Sequence, residues 1–456
     1  MRIRFDRGTL VIDRVERGLD LLQLHGAKHD AELVAWRLPA EKLSELRGRL
    51  TAGHVRFTDE ISNAALEPSW ALPELRWYQR DAVSAWRDSG DRGVVVLPTG
   101  AGKTLVALAA IRELAVSTLI LVPTRILLDQ WARSLEVAWP YPIGRLGDGD
   151  YRIAPITVST YASAVTWAPR IGDKFGLVIV DEAHHVGAWC PSEILEMLVA
   201  PSRLGLTATP SPSAALPRHI GPLVYELTIE DLRGEALADF EIETVNIELT
   251  PEERSRYTLV RGEFAAFYSQ LLRVAPDTSW GQFLRSARRS ERGRDAIAAW
   301  RASRALLAYP DGKRRAVRTI LARHAHERTL IFTADNATAY AIARELLVPP
   351  ITCDIGRAER TNLIDRFRSG DTTVLVSAQV LDEGFDLPEA EVAIVVGGTG
   401  STRRHVQRIG RLLRPRPGKR ALIYELVVQQ SAEVSQVTRR RRGLAHDEFA
   451  HAEVMP

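Results

Sequence analysis

The stretch LVIVDEAHHVGAWC, residues 177–190, sets Asp181, Glu182, His184, His185 and Cys190 within ten positions. Each of these side chains can ligate a divalent metal. The segment therefore reads as a metal site, a nucleotide-hydrolysis site or an acidic helix start. A zinc protease needs two histidines four apart on one helix, with a glutamate beside the first. His184 and His185 are adjacent, point in different directions and cannot share a zinc ion in that way. Cys190 and Cys353, the only cysteines, form neither a disulfide framework nor a paired zinc signature.

A second segment, VVVLPTGAGKT at 94–104, runs from an apolar strand through a Gly-rich turn into a helix-like pattern. That order makes a P-loop, in which successive backbone N–H groups and a helix N-terminus hold phosphate. Pro98, Thr99, Gly100, Ala101, Gly102, Lys103 and Thr104 form the ATP cradle. Lys103 reaches the β- and γ-phosphates and Thr104 holds Mg²⁺. Gly100 and Gly102 keep side chains away from the phosphate oxygens. The general pattern wants a glycine at position 97, where this chain has Leu97. LVIV then reads as a neighbouring buried strand, with Asp181 and Glu182 at its C-terminal end, where ligands bind in such sheets. Asp181 is placed to hold Mg²⁺, partly through water, and Glu182 to polarise the attacking water as general base. His185 and Cys190 are left outside the chemistry.

These residues need a sheet to position them. Unalternating apolar runs recur at 93–97, 118–122, 156–160, 177–180 and 203–208, separated by helical periods. The same grammar returns at 329–334, 373–378, 392–396 and 421–427. Such runs indicate parallel strands covered on both faces. The fold class is α/β, with two RecA-like doubly wound lobes. A small N-terminal α+β domain spans 1–65, the first lobe 66–235 and the second 236–456. A helical, basic and aromatic insertion occupies 250–307.

The motifs, in order, resemble a superfamily 2 helicase of the XPB type, in its short archaeal and bacterial form. LRWYQRDAVSAW (75–86) resembles the Q motif, which implies that Gln79 meets the adenine edge, with Arg76 and an aromatic beside it. LVPTRILLDQW (121–131) and VSTYASA (158–164) resemble the loops that meet the nucleic-acid backbone, which implies contact roles for Thr124, Arg125 and Thr160. LGLTATP (204–210) resembles motif III, which implies that Thr207 and Thr209, with His184, couple hydrolysis to the bound strand. TLIFTAD (329–335) resembles motif IV. VLVSAQVLDEGFDLPEA (374–390) resembles motif V, implying close backbone approach at Gly384 and a ribose contact from Asp386. GTGSTRRHVQRIGRLLRP (398–415) resembles motif VI, implying Gln407 near the γ-phosphate and Arg411 and Arg414 as arginine fingers.

The resemblance covers about residues 66–430. It implies a DNA-stimulated ATPase and 3′→5′ helicase or translocase acting in DNA repair. Single-stranded or junction DNA is held with little sequence preference, and a Bax1-like nuclease is the implied partner. RLPAEKLSELRGRLTAGHVRF, within 1–65, resembles the family's damage-sensing domain, and 250–307 its thumb insertion. In the insertion, Tyr257, Phe264, Phe267 and Tyr268 read as core, and Arg254, Arg256 and Arg261 as backbone contacts. The family's Arg-Glu-Asp element does not follow motif III, which favours translocation or remodelling over vigorous strand separation. An RNA helicase, or an ATP-gated subunit that positions a nuclease, are the competing readings.

Composition sets outer bounds. The chain has 456 residues, 45% hydrophobic and 26% charged, ordinary for a globular protein. Sixty Lys+Arg against 57 Asp+Glu leave +3, so net charge alone points to no partner. The apolar stretch 104–122 carries Arg112 and Glu113 in its middle and reads as helix plus strand, not a membrane span. A cytoplasmic protein without a signal peptide or membrane segment is the expectation.

Overall fold

The computed structural model describes residues 1–15, 26–61, 65–67, 70–209, 214–235, 237–378, 390–397 and 420–441. The chain divides into two compact units at Thr228/Ile229. The sequence pattern sets its lobe boundary a little later, at 235/236.

The first unit opens with β1 (Arg2–Asp6), β2 (Thr9–Asp13), β3 (Lys28–Asp30), β4 (Ala35–Pro39), α1 (Leu43–Ala52) and β5 (Thr58–Asp59). The strands form one sheet in the order β3-β4-β2-β1-β5. Ile3, Leu10, Ile12 and Leu38 pack on Leu43, Leu46 and Leu50, whose spacing makes one helical stripe. Val199, from the larger layer below, closes this small core.

That larger layer comprises α2 (Trp77–Asp88), β6 (Arg92–Val96), α3 (Lys103–Leu114), β7 (Thr118–Val122), α4 (Arg125–Ala138), β8 (Gly144–Gly147), β9 (Asp150–Arg152) and β10 (Ile156–Thr160). It continues with α5 (Tyr161–Ile171), β11 (Leu177–Asp181), α6 (Ser192–Glu196), β12 (Ser202–Thr207), α7 (Ala215–His219) and β13 (Leu223–Glu226). The sheet order is β13-β6-β12-β11-β7-β10-β8-β9. Only the β8–β9 hairpin in it is antiparallel among the described residues. β7, β10 and β11 are buried at every position, as strands covered by helices on both faces must be.

The small sheet is tied to the larger one by a buried ionic cluster. Arg203, at the start of β12, is fully buried and donates to the carbonyls of Leu195, Leu198, Ala200 and His219. Glu41, just before α1, lies 3.5 Å from the same guanidinium and 3.0 Å from His219 Nδ1. Burial pushes the Glu41 carboxyl up, but the His219 hydrogen bond and the charges of Arg203, His219 and Lys42 leave it below its ordinary value. Burial and the nearby Arg92 lower Arg203 to about 9, so it stays charged at neutral pH.

The second unit contains β14 (Asp239–Ile247), α8 (Pro251–Val274), α9 (Trp280–Ala287), α10 (Glu291–Ala308), α11 (Asp311–Arg323), β15 (Thr329–Phe332), α12 (Asn336–Leu346) and β16 (Pro350–Ile351). It ends with α13 (Arg357–Ser369), β17 (Val374–Ser377), β18 (Val392–Val395), β19 (Arg420–Val428) and α14 (Ala432–Arg441). Its sheet, β14-β19-β18-β15-β17-β16, is parallel at every described pairing. Apart from the largely antiparallel small sheet of the first unit, both units are thus α/β layers built on parallel strands.

α8 starts where the sequence demands: Thr250 caps Glu253 N–H, Glu253 returns the bond to Thr250 N–H, and Pro251 follows the cap. Phe264 and Phe283 form a separate core with Phe267, Tyr268 and Trp300. Tyr257 instead joins the core of the parallel sheet. The aromatics of this insertion are packing residues. Arg254 donates to the carbonyls of Gln429 and Gln430, fixing α8 to the end of β19.

Of the two cysteines, Cys190 is buried and Cys353 exposed. No helix among the described residues is long and apolar enough to cross a membrane.

Candidate active site

The sequence-selected residues of the first unit converge on one edge of its sheet. β6, β12, β11, β7 and β10 run parallel, and their C-terminal ends carry the P-loop, Thr207, Asp181, Thr124 and Thr160 in turn. A doubly wound sheet presents ligand sites at that edge.

The P-loop leaves β6 at Leu97, whose N–H donates to the Thr207 carbonyl. Gly100 and Gly102 take φ of 91° and 80°, a left-handed conformation that glycine adopts at no steric cost. Lys103, the first residue of α3, lays its ammonium on the loop, 3.1 Å from the Leu97 carbonyl and 3.4 Å from that of Pro98. Beneath the loop, the Tyr78 hydroxyl and Gln79 Nε2 both donate to the Ala101 carbonyl at 2.9 Å. Gln79 Oε1 accepts from the N–H of Arg76, the N-cap of α2. Gln79 is 2% exposed, so its amide serves the loop first, with one N–H and one lone pair to spare for an adenine. Any Cβ on Gly102 would stand 2.5 Å from Gln79 Nε2.

Asp181 ends β11 and is buried. Its Oδ2 accepts from the Trp131 indole N–H at 2.7 Å, and its Oδ1 from Glu182 N–H at 2.9 Å. Burial pushes the Asp181 carboxyl above the ordinary carboxylate range; the Trp131 N–H, the Lys103 charge and the Glu182 N–H pull it back. The Tyr161 hydroxyl donates to the Asp181 carbonyl and braces the strand end. Glu182 has a φ of 51°, which costs a side-chain-bearing residue about 1–2 kcal/mol. Strain of this kind at a strand terminus is held where it serves a site.

The fit to a hydrated magnesium ion rests on donor chemistry. The Thr104 hydroxyl and the Asp181 carboxylate are hard oxygen donors, and Mg²⁺ binds through one or two carboxylates plus substrate phosphates and water. Burial pushes the thiol of Cys190, the cysteine in this segment, up to about 12.

Glu182 Oε2 lies 3.4 Å from His184 Nδ1, and the same nitrogen is 2.9 Å from Thr207 Oγ1. Thr207 in turn donates to the Thr209 carbonyl at 2.9 Å. Thr124 and Thr160 are N-caps of α4 and α5, accepting from Leu127 N–H and Ser163 N–H. Adjacent strands therefore present two capped helix N-termini on the edge that carries the P-loop. Arg125 is exposed and paired with Asp148 at 2.8 Å. Gly384 and Asp386, and Gln407, Arg411 and Arg414, lie outside the described residues.

Sequence reasoning missed Trp131, Tyr161 and His185. Trp131 continues the stripe Leu128, Ala132 and Leu135 of α4, so its periodicity signals only core. His185, which the sequence reading left outside the chemistry, contacts His184, with 3.1 Å between their Nε2 atoms.

A glycine-turn cradle, a lysine on it and a carboxylate pair at the end of β11, separated from the P-loop strand only by β12, define a P-loop nucleotide hydrolase. Three family models match the chain. They are the xeroderma pigmentosum group B helicase damage recognition domain over residues 3–61, the type III restriction enzyme res subunit over 72–212, and the helicase conserved C-terminal domain over 312–416. A DNA 3'-5' translocase XPB2 of Sulfurisphaera tokodaii is 34% identical, over 96% of this chain and 99% of the relative. A DNA 3'-5' helicase XPB of Mycobacterium tuberculosis is 32% identical, over 98% of this chain and 74% of the relative. Among solved structures, the Pyrococcus furiosus Hef helicase domain superposes with a TM-score of 0.54 at 19% identity, covering 81% of this chain and 98% of that one, and shows the shared fold alone. The chain belongs to the XPB-type superfamily 2 helicases. It is accordingly an ATP-hydrolysing DNA helicase or translocase.

Proposed function

We propose that the chain moves 3′→5′ along DNA in the cytoplasm, in DNA repair, with translocation or remodelling as its main output. The carrying observation is a run of close contacts: Glu182 Oε2 lies 3.4 Å from His184 Nδ1, which is hydrogen-bonded to Thr207, which donates to Thr209. It joins a hydrolytic carboxylate to the edge where Thr124, Arg125 and Thr160 stand ready for a phosphate backbone.

In this reading the P-loop N–H groups and Lys103 hold the ATP phosphates, and Gln79 steadies the loop from below. Thr104 and Asp181 would hold Mg²⁺, partly through water; when bound, it neutralises charge on the transferring phosphoryl group. Glu182 orients the attacking water and receives its proton. Gln407, Arg411 and Arg414 meet the γ-phosphate and Gly384 and Asp386 the ribose side, as the family resemblance implies. The working parts are a damage-sensing domain at 1–65, lobes at 66–235 and 236–456, and a thumb at 250–307. Backbone contacts dominate, so sequence preference is weak and binding falls with salt. A Bax1-like nuclease is the proposed partner, and co-purification tests it.

The decisive experiment is an ATPase and strand-displacement panel over single-stranded, duplex, forked and bubble DNA and RNA. DNA should stimulate turnover, 3′-tailed substrates should be favoured over 5′-tailed ones, and Glu182→Gln should bind ATP without turnover. Stimulation by RNA alone would overturn the reading.

A further inference from the structure

The loop after Glu182 is wound around one carbonyl. The His185 oxygen accepts N–H bonds from Ala188, Trp189 and Cys190, each at 3.0 Å. Gly187, with φ of 84°, makes the reversal, and the fully buried Cys190 anchors its far end. The outcome is that the Trp189 indole lies parallel to the His185 ring, 4.7 Å away and 2° off plane, while remaining 65% exposed. The loop therefore fixes the plane of a buried imidazole from outside.

The protons in this cluster can be assigned from the partners. A threonine hydroxyl has one hydrogen, and Thr207 gives it to the Thr209 carbonyl at 2.9 Å. Thr207 Oγ1 must then receive the hydrogen of His184 Nδ1, 2.9 Å away. Glu182 Oε2, 3.4 Å from that nitrogen, is beyond a hydrogen bond in this geometry but favours the same hydrogen electrostatically. If His184 carries a single proton, that proton sits on Nδ1 and its Nε2 is an acceptor. The atom facing it is His185 Nε2 at 3.1 Å, which has to be the donor.

We propose that His185 is a positioning residue: its Nε2–H holds His184 as the Nδ1–H tautomer, aiming that hydrogen between Thr207 and Glu182. In the opposite tautomer Nδ1 would turn a lone pair on the Glu182 carboxylate, and Thr207 would keep its contact only by withdrawing its hydrogen from the Thr209 carbonyl. The second histidine of the DEAHH run thus acts one step behind the first. The proposal rests on Glu182 being the base.

The test compares His185→Phe with His185→Gln. Phenylalanine keeps a ring against Trp189 but cannot donate; glutamine returns an N–H at nearly the reach of Nε2. His185→Phe should lower ATPase kcat about tenfold, the size of one lost orienting hydrogen bond, with KM for ATP unchanged. His185→Gln should recover most of that loss. A merely structural role predicts the opposite ranking, because phenylalanine preserves the stack and glutamine does not. Wild-type kcat in His185→Phe, or a His185→Gln enzyme as slow as it, would overturn the proposal. Glu182→Gln, run beside them, separates the two ideas. If it still turns over, the base assignment has failed. If it is inactive while His185→Phe is fully active, only the role of His185 has failed.

Discussion

Replacing Trp131 by phenylalanine should weaken Mg²⁺ binding by the ATPase without touching any residue on the phosphates. The indole N–H is 2.7 Å from Asp181 Oδ2, inside a buried site. A hydrogen bond to a charged group contributes about 1.5–3 kcal/mol. Each 1.4 kcal/mol is about a factor of ten, so half-saturation by Mg²⁺ should rise about 10- to 100-fold. The pH profile should move as well. Burial already pushes the Asp181 carboxyl upward, and Trp131 is the strongest of the influences pulling it back. Without that donor the proton is held to higher pH. The rate needs the carboxylate, so the acid limb should begin its fall at a higher pH than in the parent. Steady-state rates over a Mg²⁺ titration at several pH values give both readouts. Trp86→Phe, which removes an indole bonded to the Arg203 carbonyl, controls for lost packing. An unchanged Mg²⁺ midpoint and acid limb in Trp131→Phe would refute the assignment of Asp181.

Asp181→Asn should abolish Mg²⁺-dependent turnover in a steady-state ATPase assay, because the amide removes the anionic ligand and turns an NH2 on one of the two N–H groups, of Trp131 or Glu182, that the carboxylate accepts. Glu41→Gln should cost about 1–3 kcal/mol at neutral pH, read from urea unfolding. Because Glu41 is held below its ordinary value, its contribution is present above that value and lost as pH falls through the lower folded one. The parent should therefore lose stability on acidification that the variant has already lost. Gly102→Ala should reduce ATP binding at least tenfold by direct titration, since the added carbon collides with Gln79 and is strained at a φ of 80°.

The sheet edge was legible because chemistry and strand pattern coincide there. LVIV and VVVL are apolar throughout, so their ends can be located, and a ligand site in a parallel sheet lies at such an end. The observed β7 and β10 match their apolar runs residue for residue. Trp131 was not legible, because a buried donor and a buried spacer look alike at helical spacing. His185 was hidden for a related reason: adjacency in sequence was read as divergence, whereas the three-residue turn at Ala183–His185 brings the two rings to 4.0 Å. Gln79 shows a third limit. The motif marks its importance, but only the packing under Gly102 shows that it supports the loop itself. The β8–β9 hairpin carried a local signal, Asp148 and Gly149 with positive φ, that a search for parallel strands passes over.

The placement of the two thiols gives experimenters a labelling handle. Cys190 sits in the core beside the catalytic strand, with its thiol raised to about 12 by burial, and will resist maleimide in the folded protein. Cys353 is exposed and belongs to the second unit. The unaltered chain should accept a single fluorophore there. One cysteine introduced on an exposed face of the first unit would complete a donor–acceptor pair, so inter-unit distance could be followed through the ATP cycle with both native cysteines kept.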